Sequence, residues 1–438
     1  MKKILFLLLG ALLISSCLPR NVQVPQSPLL STLERKSGLI AYVGVDGNIF
    51  VADQAGGNLK QLTDDAKIPQ SQSDPYLVYQ YPTWSQDGNQ LAFVRTGSEN
   101  GKTSSELLVA NINDDNVNEI YQSESEHPIY LYWSPDDENV SLLTTSGSGQ
   151  SLILQNIPAD GSERTIIDTG SPYYWSWAPD GNTMIIHAGG AASSVAPPHL
   201  AFLSLEAESE DSGIIEDGLD TTPGSFQAPA WSPDGKHILL TRVNDQGQKE
   251  IILTNGSGEF EKALGTFEVN TAFAWSPDST KVAFISGRQA MNAGALGDLH
   301  VVNIETSVET IKEEDIYAFF WSPDSEKLAY FVPFLSNQAA DGSQTETQQL
   351  VLQLNTLDVN TNESRELFKY QPTQQFANVL PYFDQYHQSS TIWSPDNNNL
   401  VLSFLTGSGA PGIAVVAASG QLEPRILAEG YIAFWSWK

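Results

Sequence analysis

From Gly38 onward the chain is made of short segments in which apolar and polar residues alternate or apolar residues run together for a few positions, bounded by Gly, Pro, Asn, Asp or Ser. Leu39–Val43, Asn48–Ala52, Glu106–Ile112, Ser151–Ile157, His199–Leu205, Glu250–Asn255, Asp298–Ile304, Gln349–Asn355 and Gly412–Ala418 have the length and residue types of strands. No segment is long enough for a crossover helix, so the sheets are expected to be antiparallel.

The pattern repeats. Its marker is a tryptophan followed by a turn phrase: Trp84-Ser85-Gln86-Asp87-Gly88, then Ser/Ala-Pro-Asp after Trp133, Trp177, Trp231, Trp275, Trp321 and Trp393, with Trp435-Ser436-Trp437 at the end. Counting the last to Trp437, successive markers lie 49, 44, 54, 44, 46, 72 and 44 residues apart. A period of about 40–50 residues signals a solenoid or propeller. Seven positions after each of the first seven tryptophans stands an apolar residue: Leu91, Val140, Met184, Ile238, Val282, Leu328 and Leu400. That count predicts two antiparallel strands joined by a tight turn, with Pro presetting φ and Asp followed by Gly or Ser completing the bend. A third strand and a weaker fourth, such as Asn118–Gln122, complete each unit.

Four strands per unit describe a propeller blade. Seven blades start at the full phrases. The eighth is split between Leu39–Val43, Asn48–Ala52 and Leu59–Leu62 at the N-terminus and Gly430–Trp437 at the other end. The expected fold is all-β: a single eight-bladed β-propeller of four-stranded antiparallel blades, with the C-terminal strand joining the N-terminal blade and closing the ring. Closure leaves no open sheet edge.

The tryptophan phrase, together with Asp46-Gly47-Asn48-Ile49-Phe50-Val51-Ala52-Asp53, resembles the TolB-type, WD-like propeller repeat over about residues 38–438. A similar blade occurs in the N-terminal propeller of dipeptidyl peptidase IV-like proteins. The resemblance implies the fold. TolB itself is similar to a six-bladed ring with an additional N-terminal α/β domain, and no such domain is expected in the residues before Gly38. The peptidases carry a C-terminal hydrolase domain, and no such domain is expected after the last strand here.

Before Gly38 the pattern changes. Lys2 and Lys3 precede an apolar run, Ile4–Ile14. The run is too short to span a core of about 30 Å as a helix and suits a secretory signal. It leads into Ser15-Ser16-Cys17, which resembles a bacterial lipobox. Residues 1–16 are therefore expected to be a lipoprotein signal peptide, with Cys17 lipidated by acyl chains such as palmitate. Residues 17–37, with Pro19, Pro25 and Pro28, would form a flexible tether reaching about 25 Å. These features place the chain outside the cytoplasm in a bacterial cell envelope, anchored to a membrane through Cys17.

Composition narrows the function. With 52 acidic and 22 basic residues the net charge is −30, which repels nucleic acid. The single cysteine excludes an internal disulfide and a cysteine-rich zinc site. The turn aspartates Asp87, Asp136, Asp180, Asp234, Asp278, Asp324 and Asp396 stand one per blade and are expected to bond their own turns. The tryptophans of the repeat are expected to pack between blades. The histidines have no ligand spacing, and Gly147-Ser148-Gly149, Gly256-Ser257-Gly258 and Gly407-Ser408-Gly409 lack the nucleophile-elbow pattern. No catalytic residue, metal site or cofactor is expected, with a structural Ca²⁺ near Glu206–Asp220 as the one open alternative.

Loop length points to a face. First-to-second turns are short, whereas His187–His199, Ser286–Asp298, Val332–Gln348, Thr63–Pro82 and Tyr370–Ser389 are long and fall on the opposite side of the disc. Long loops on a rigid scaffold commonly carry binding. Two are aromatic, giving Tyr76, Tyr79, Phe376, Tyr382, Phe383 and Tyr386 as the candidate binding face. The expected function is a protein-binding or assembly scaffold with a partner in the envelope. The alternative is a carbohydrate- or peptide-binding protein, or a hydrolase, with its site at the channel mouth.

Overall fold

The computed structural model describes residues 36–438 except 72–73, 100, 115, 148, 150, 190–198, 206–214 and 340–345. The expected signal peptide, Cys17, nearly all of the tether and most of the candidate Ca²⁺ segment lie outside the described residues. The described chain is almost entirely antiparallel β-structure, in six four-stranded sheets and one seven-stranded sheet.

The turn phrase folds as its spacing predicts. Trp84 pairs with Leu91, Trp133 with Val140, Trp177 with Met184, Trp231 with Ile238, Trp275 with Val282, Trp321 with Leu328 and Trp393 with Leu400. Within the turn, Ser85 Oγ donates to Asp87 Oδ1 (2.7 Å) and accepts from the Gln90 N–H (2.9 Å). The same serine–aspartate bond recurs at Ser232–Asp234 (2.7 Å), Ser276–Asp278 (2.6 Å), Ser322–Asp324 (2.6 Å) and Ser394–Asp396 (2.7 Å). The turn aspartates therefore hold the backbone that precedes each second strand.

Two contacts join successive repeats. The indole N–H donates to the carbonyl just before the preceding tryptophan: Trp133 to Thr83 (3.0 Å), Trp275 to Ala230 (3.0 Å), Trp321 to Ala274 (3.3 Å) and Trp393 to Phe320 (2.9 Å). At the fifth phrase position, a polar residue caps the preceding turn. Asp137 accepts from the Gln86 and Asp87 N–H groups, Ser279 from Asp234, Ser325 from Asp278 and Asn397 from Asp324. These four residues have φ near +60°, the left-handed conformation that glycine supplies at Gly88, Gly181 and Gly235. The hydrogen bond to the next turn offsets the strain of a side chain there.

The last strand, Gly430–Trp435, pairs with Ile40–Gly44, placing Trp435 opposite Ile40. Trp435 is buried and donates to the Ser37 carbonyl (2.9 Å). Trp437, expected to be the repeat's last member, is instead partly exposed and its indole nitrogen has no partner. The strand ends one alternation earlier than the mirrored Trp-Ser-Trp suggested.

Three expected loops have regular structure. Ser286–Asp298 is the outer part of a hairpin, Lys281–Met291 with Gly294–Asn303. Val332–Gln348 lies largely within Lys327–Ala339 and Glu346–Asp358, paired over their whole length. Tyr370–Ser389 ends in two short helices, α1 (Gln374–Val379) and α2 (Phe383–Ser389), linked by a 3₁₀ turn at Leu380–Tyr382.

Candidate functional site

The helical insertion builds the site. Thr373 starts α1: its Oγ1 accepts from the Phe376 N–H (3.3 Å) and donates to the Tyr431 carbonyl (2.6 Å), tying the helix to the C-terminal strand. Pro381 cannot continue an α-helix and forces the 3₁₀ turn between α1 and α2. Phe376, Val379, Leu380 and Phe383 recur at helical spacing and are all buried.

The insertion lies against the inner strands of several sheets. Phe376 packs edge-on to Phe331, Phe383 to Phe319 at 4.8 Å and Tyr386 to Tyr130 at 5.0 Å between ring centroids. Polar groups fix its position. Asp384 Oδ2 accepts from the Ala228 N–H (3.1 Å), and Gln388 Nε2 donates to the Pro229 carbonyl (3.2 Å). Gln385 takes the Trp175 N–H on its side-chain oxygen (3.2 Å) and the Tyr130 hydroxyl on its carbonyl (2.9 Å).

Beside the helices is a cavity of about 750 Å³. The strand Tyr76–Trp84 contributes Tyr79, Gln80 and Tyr81, and His127–Trp133 contributes Tyr130. Tyr173 and Tyr174 come from Tyr173–Trp177, Tyr431 from the last strand, and Tyr382, Gln385 and Tyr386 from the insertion. Eight of the chain's 15 tyrosines thus line it, and among the described residues no Asp, Glu, Lys, Arg or His does. The volume is in the range of small-molecule sites, about 300–1,000 Å³.

Local irregularity aims the aromatic wall. The register of Tyr76–Trp84 shifts between Gln80 and Thr83, and Tyr81 in this bulge has φ +56°. A bulky residue in that region costs about 1–3 kcal/mol, and bulges of this kind redirect side chains beside binding sites. Thr83 Oγ1 braces the bulge by donating to the Tyr81 carbonyl (3.0 Å). His127–Trp133 has a second register shift next to Tyr130.

The hydroxyls of Tyr81, Tyr174 and Tyr386 stay neutral. Burial raises the pKa of Tyr81, Tyr174 and Tyr386; Asp384 adds to the rise at Tyr174, and Tyr81 and Tyr382 add to it at Tyr386. Tyr79 and Tyr173 spend their hydroxyls on Asp65 (2.6 Å) and Asp168 (2.9 Å). Among the described residues no hydrogen bond joins the hydroxyls of Tyr81, Tyr174 or Tyr386 to the protein, and all three residues line the cavity. Behind the wall, burial pushes Asp384 up to about 6 and His187 and His387 down to about 4.

Of the expected aromatic face, Tyr79, Tyr382 and Tyr386 meet at this cavity. Tyr382 is 40% exposed at its lip. Tyr76 lies at the outer start of its strand, paired with Ser98, and is not in the lining. Phe376 and Phe383 are buried anchors of the insertion, not surface groups. Tyr81, Tyr130, Tyr173, Tyr174, Tyr431 and Gln385 were not expected here. Three of them could have been found by aligning the repeats, since Tyr81, Tyr130 and Tyr174 each stand three residues before their tryptophan. Among the described residues no group of three or more His, Cys, Asp or Glu side chains is arranged to hold a metal.

No protein-family model matches the chain, and no curated protein matches it in sequence. Solved structures match it in fold. Dihydro-heme d1 dehydrogenase NirN superposes with a TM-score of 0.51 at 14% identity, covering 95% of this chain and 77% of that one. A prolyl endopeptidase superposes with a TM-score of 0.51 at 11% identity, over 80% of this chain and 49% of that one. TolB from Acinetobacter baumannii matches at 13% identity and a TM-score of 0.36, over 79% of this chain and 81% of that one. These are propeller folds, and the likeness extends to the fold alone.

Proposed function

We propose that the chain is an eight-bladed propeller, lipid-anchored at Cys17 in a bacterial cell envelope, that binds an uncharged ligand in the tyrosine-lined cavity. The observation that carries the binding reading is an uncharged cavity in a chain of net charge −30. A surface this acidic repels anions, and a cavity without a countercharge gives a buried ion no compensation.

The blade count draws support from the pairings. The sheet of Ile40–Gly44, Ile49–Ala52 and Lys60–Gln61 takes Gly430–Trp435 as its fourth strand. The seven-stranded sheet reads as two blades, because Ser364–Pro372 meets Asn399–Leu405 only at Gln371 and Pro372. Trp393 opens the second of these through its bridge to Leu400.

The tether would leave beside Trp435, whose indole holds the Ser37 carbonyl, whereas Tyr431 and Tyr382 stand at the start of that strand and the lip of the cavity. An anchor at Cys17 would then join the folded part at the end of that strand remote from the cavity mouth. A protein partner on the long-loop side is a second reading. It is favoured by Phe334 and Leu335, 44% and 61% exposed on the strand Lys327–Ala339.

The test is thermal unfolding of the full chain with the low-molecular-mass fraction of its host's envelope. A ligand at 100 times its Kd stabilises by about 2.7 kcal/mol. Stabilisation that Tyr174→Ala abolishes supports the reading. A melting temperature that the fraction leaves unchanged contradicts it.

A further inference from the structure

We propose that the cavity takes a neutral oligosaccharide, with Tyr382 as a stacking platform and the hydroxyls of Tyr174 and Tyr386 as its hydrogen-bonding partners. This rests on the cavity being a ligand site and adds the class of ligand.

The argument is one of matching groups. An anion would find no cation among the lining residues. A purely apolar ligand would satisfy the ring faces but leave the Tyr81, Tyr174 and Tyr386 hydroxyls dry and unpaired, at the cost of desolvating each. A quaternary ammonium suits aromatic faces but offers neither donor nor acceptor to those hydroxyls. A sugar fits both requirements. Its C–H face lies on a tyrosine ring, and each of its hydroxyls can donate and accept, as a tyrosine hydroxyl does. The side-chain amide of Gln80, exposed on the cavity wall, adds a donor and an acceptor at the same site.

The positions suit these roles. Tyr382 is the exposed member at the lip, where a ring can receive a sugar face from solvent. Tyr386 is held edge-on by Tyr130, and Tyr174 rests against Phe226 at 5.1 Å between centroids, so both rings are held in place before a ligand arrives. Preorganised groups of this kind lose little entropy on binding.

The test uses the full chain and isothermal titration with neutral trisaccharides of glucose, galactose, mannose and N-acetylglucosamine. Trigalacturonate and choline serve as charged comparisons. The expected result is saturable binding of at least one neutral trisaccharide and of neither charged probe. Tyr386→Phe keeps the ring and removes the hydroxyl, and should weaken binding about tenfold. Tyr382→Ala should weaken it at least as much, and Tyr76→Ala, outside the lining, should leave it unchanged.

Failure of all the neutral sugars while the low-mass envelope fraction still stabilises the protein overturns the saccharide class and leaves the cavity reading standing. Failure of both overturns the two together. Binding of choline or trigalacturonate alone, or sugar binding that survives both Tyr382→Ala and Tyr386→Phe, also overturns the proposal.

Discussion

The indole N–H of Trp84 donates to the carbonyl of Phe434 at 3.3 Å, joining residues 350 apart in the chain. It is the same bond that Trp133 makes to Thr83 and Trp275 to Ala230. The sheet that contains both chain ends therefore meets its neighbour through the contact the repeat uses between sequential sheets. In the proposed ring, this bond stands where the circle closes.

Trp84→Phe should lower stability by about 1–3 kcal/mol, because a buried carbonyl is left without its donor. Trp437→Phe should change little, since its indole N–H is buried without a partner and its loss breaks no hydrogen bond. Denaturant titration of the two variants separates the cases. An equal effect would mean that Trp437 has the structural role.

Asp137 should be replaceable by Asn and not by Ala. Its carboxylate caps two N–H groups of the neighbouring turn, and burial with the Asp87 charge raises its pKa. A raised carboxyl contributes stability below its unfolded pKa, and that contribution is lost as pH rises through the folded value. Asn keeps an acceptor without the charge, as Asn397 does for Asp324. Asp137→Asn should match or exceed the parent at pH 7, and Asp137→Ala should lose about 1 kcal/mol. Urea unfolding at pH 7 reads both.

The buried groups behind the cavity give opposing pH dependences. Asp384, raised to about 6, loses its contribution as pH climbs from the ordinary carboxyl range through 6. His187 and His387, held down to about 4, contribute above their unfolded pKa and lose that contribution as pH falls from about 6.5 toward 4. Between pH 6.5 and 4 the terms partly cancel. Asp384→Asn removes one of them, so its stability should fall more steeply than the parent's on acidification. A parallel profile from pH 7 to 4 would contradict this balance.

Phe383→Ala should cost about 3–5 kcal/mol, the usual range for deleting a buried phenyl ring. Its ring touches Phe319 and Phe320, so the loss should also loosen α2. Hydrogen exchange at the Gln385 and Ser390 amides reports that loosening. Exchange as slow as the parent's would show that α2 does not depend on this anchor.

Much of the strand framework was legible because tryptophan-to-anchor spacing is a local property of a tight turn, and all seven Trp-to-apolar pairs are in the expected register. The insertion was less legible. Its helices are short, interrupted by Pro381, and gain their stability from the inner strands rather than from propensity. One signal was present in the repeat. Three residues before the tryptophan stand Tyr81, Tyr130 and Tyr174 in three units, but Ala228, Ala272, Ala318 and Ser390 in four others. The tyrosines line the cavity, and Ala272 and Ala318 begin or adjoin inner strands that α2 contacts. Small residues make room for the helix where large ones would collide with it. The aromatic residues in the loop looked like surface anchors because sequence gives composition without burial, and Phe376 and Phe383 turned inward.

The central claim is that the tyrosine-lined cavity is the binding site. Its most direct test is NMR of the full chain with ¹³C-labelled tyrosine rings, before and after addition of the host's low-molecular-mass envelope fraction. The account predicts shifts in the Tyr174, Tyr382 and Tyr386 signals, assigned by single substitution, while Tyr76 stays in place. Unmoved cavity signals, or shifts confined to tyrosines outside it, would contradict the account.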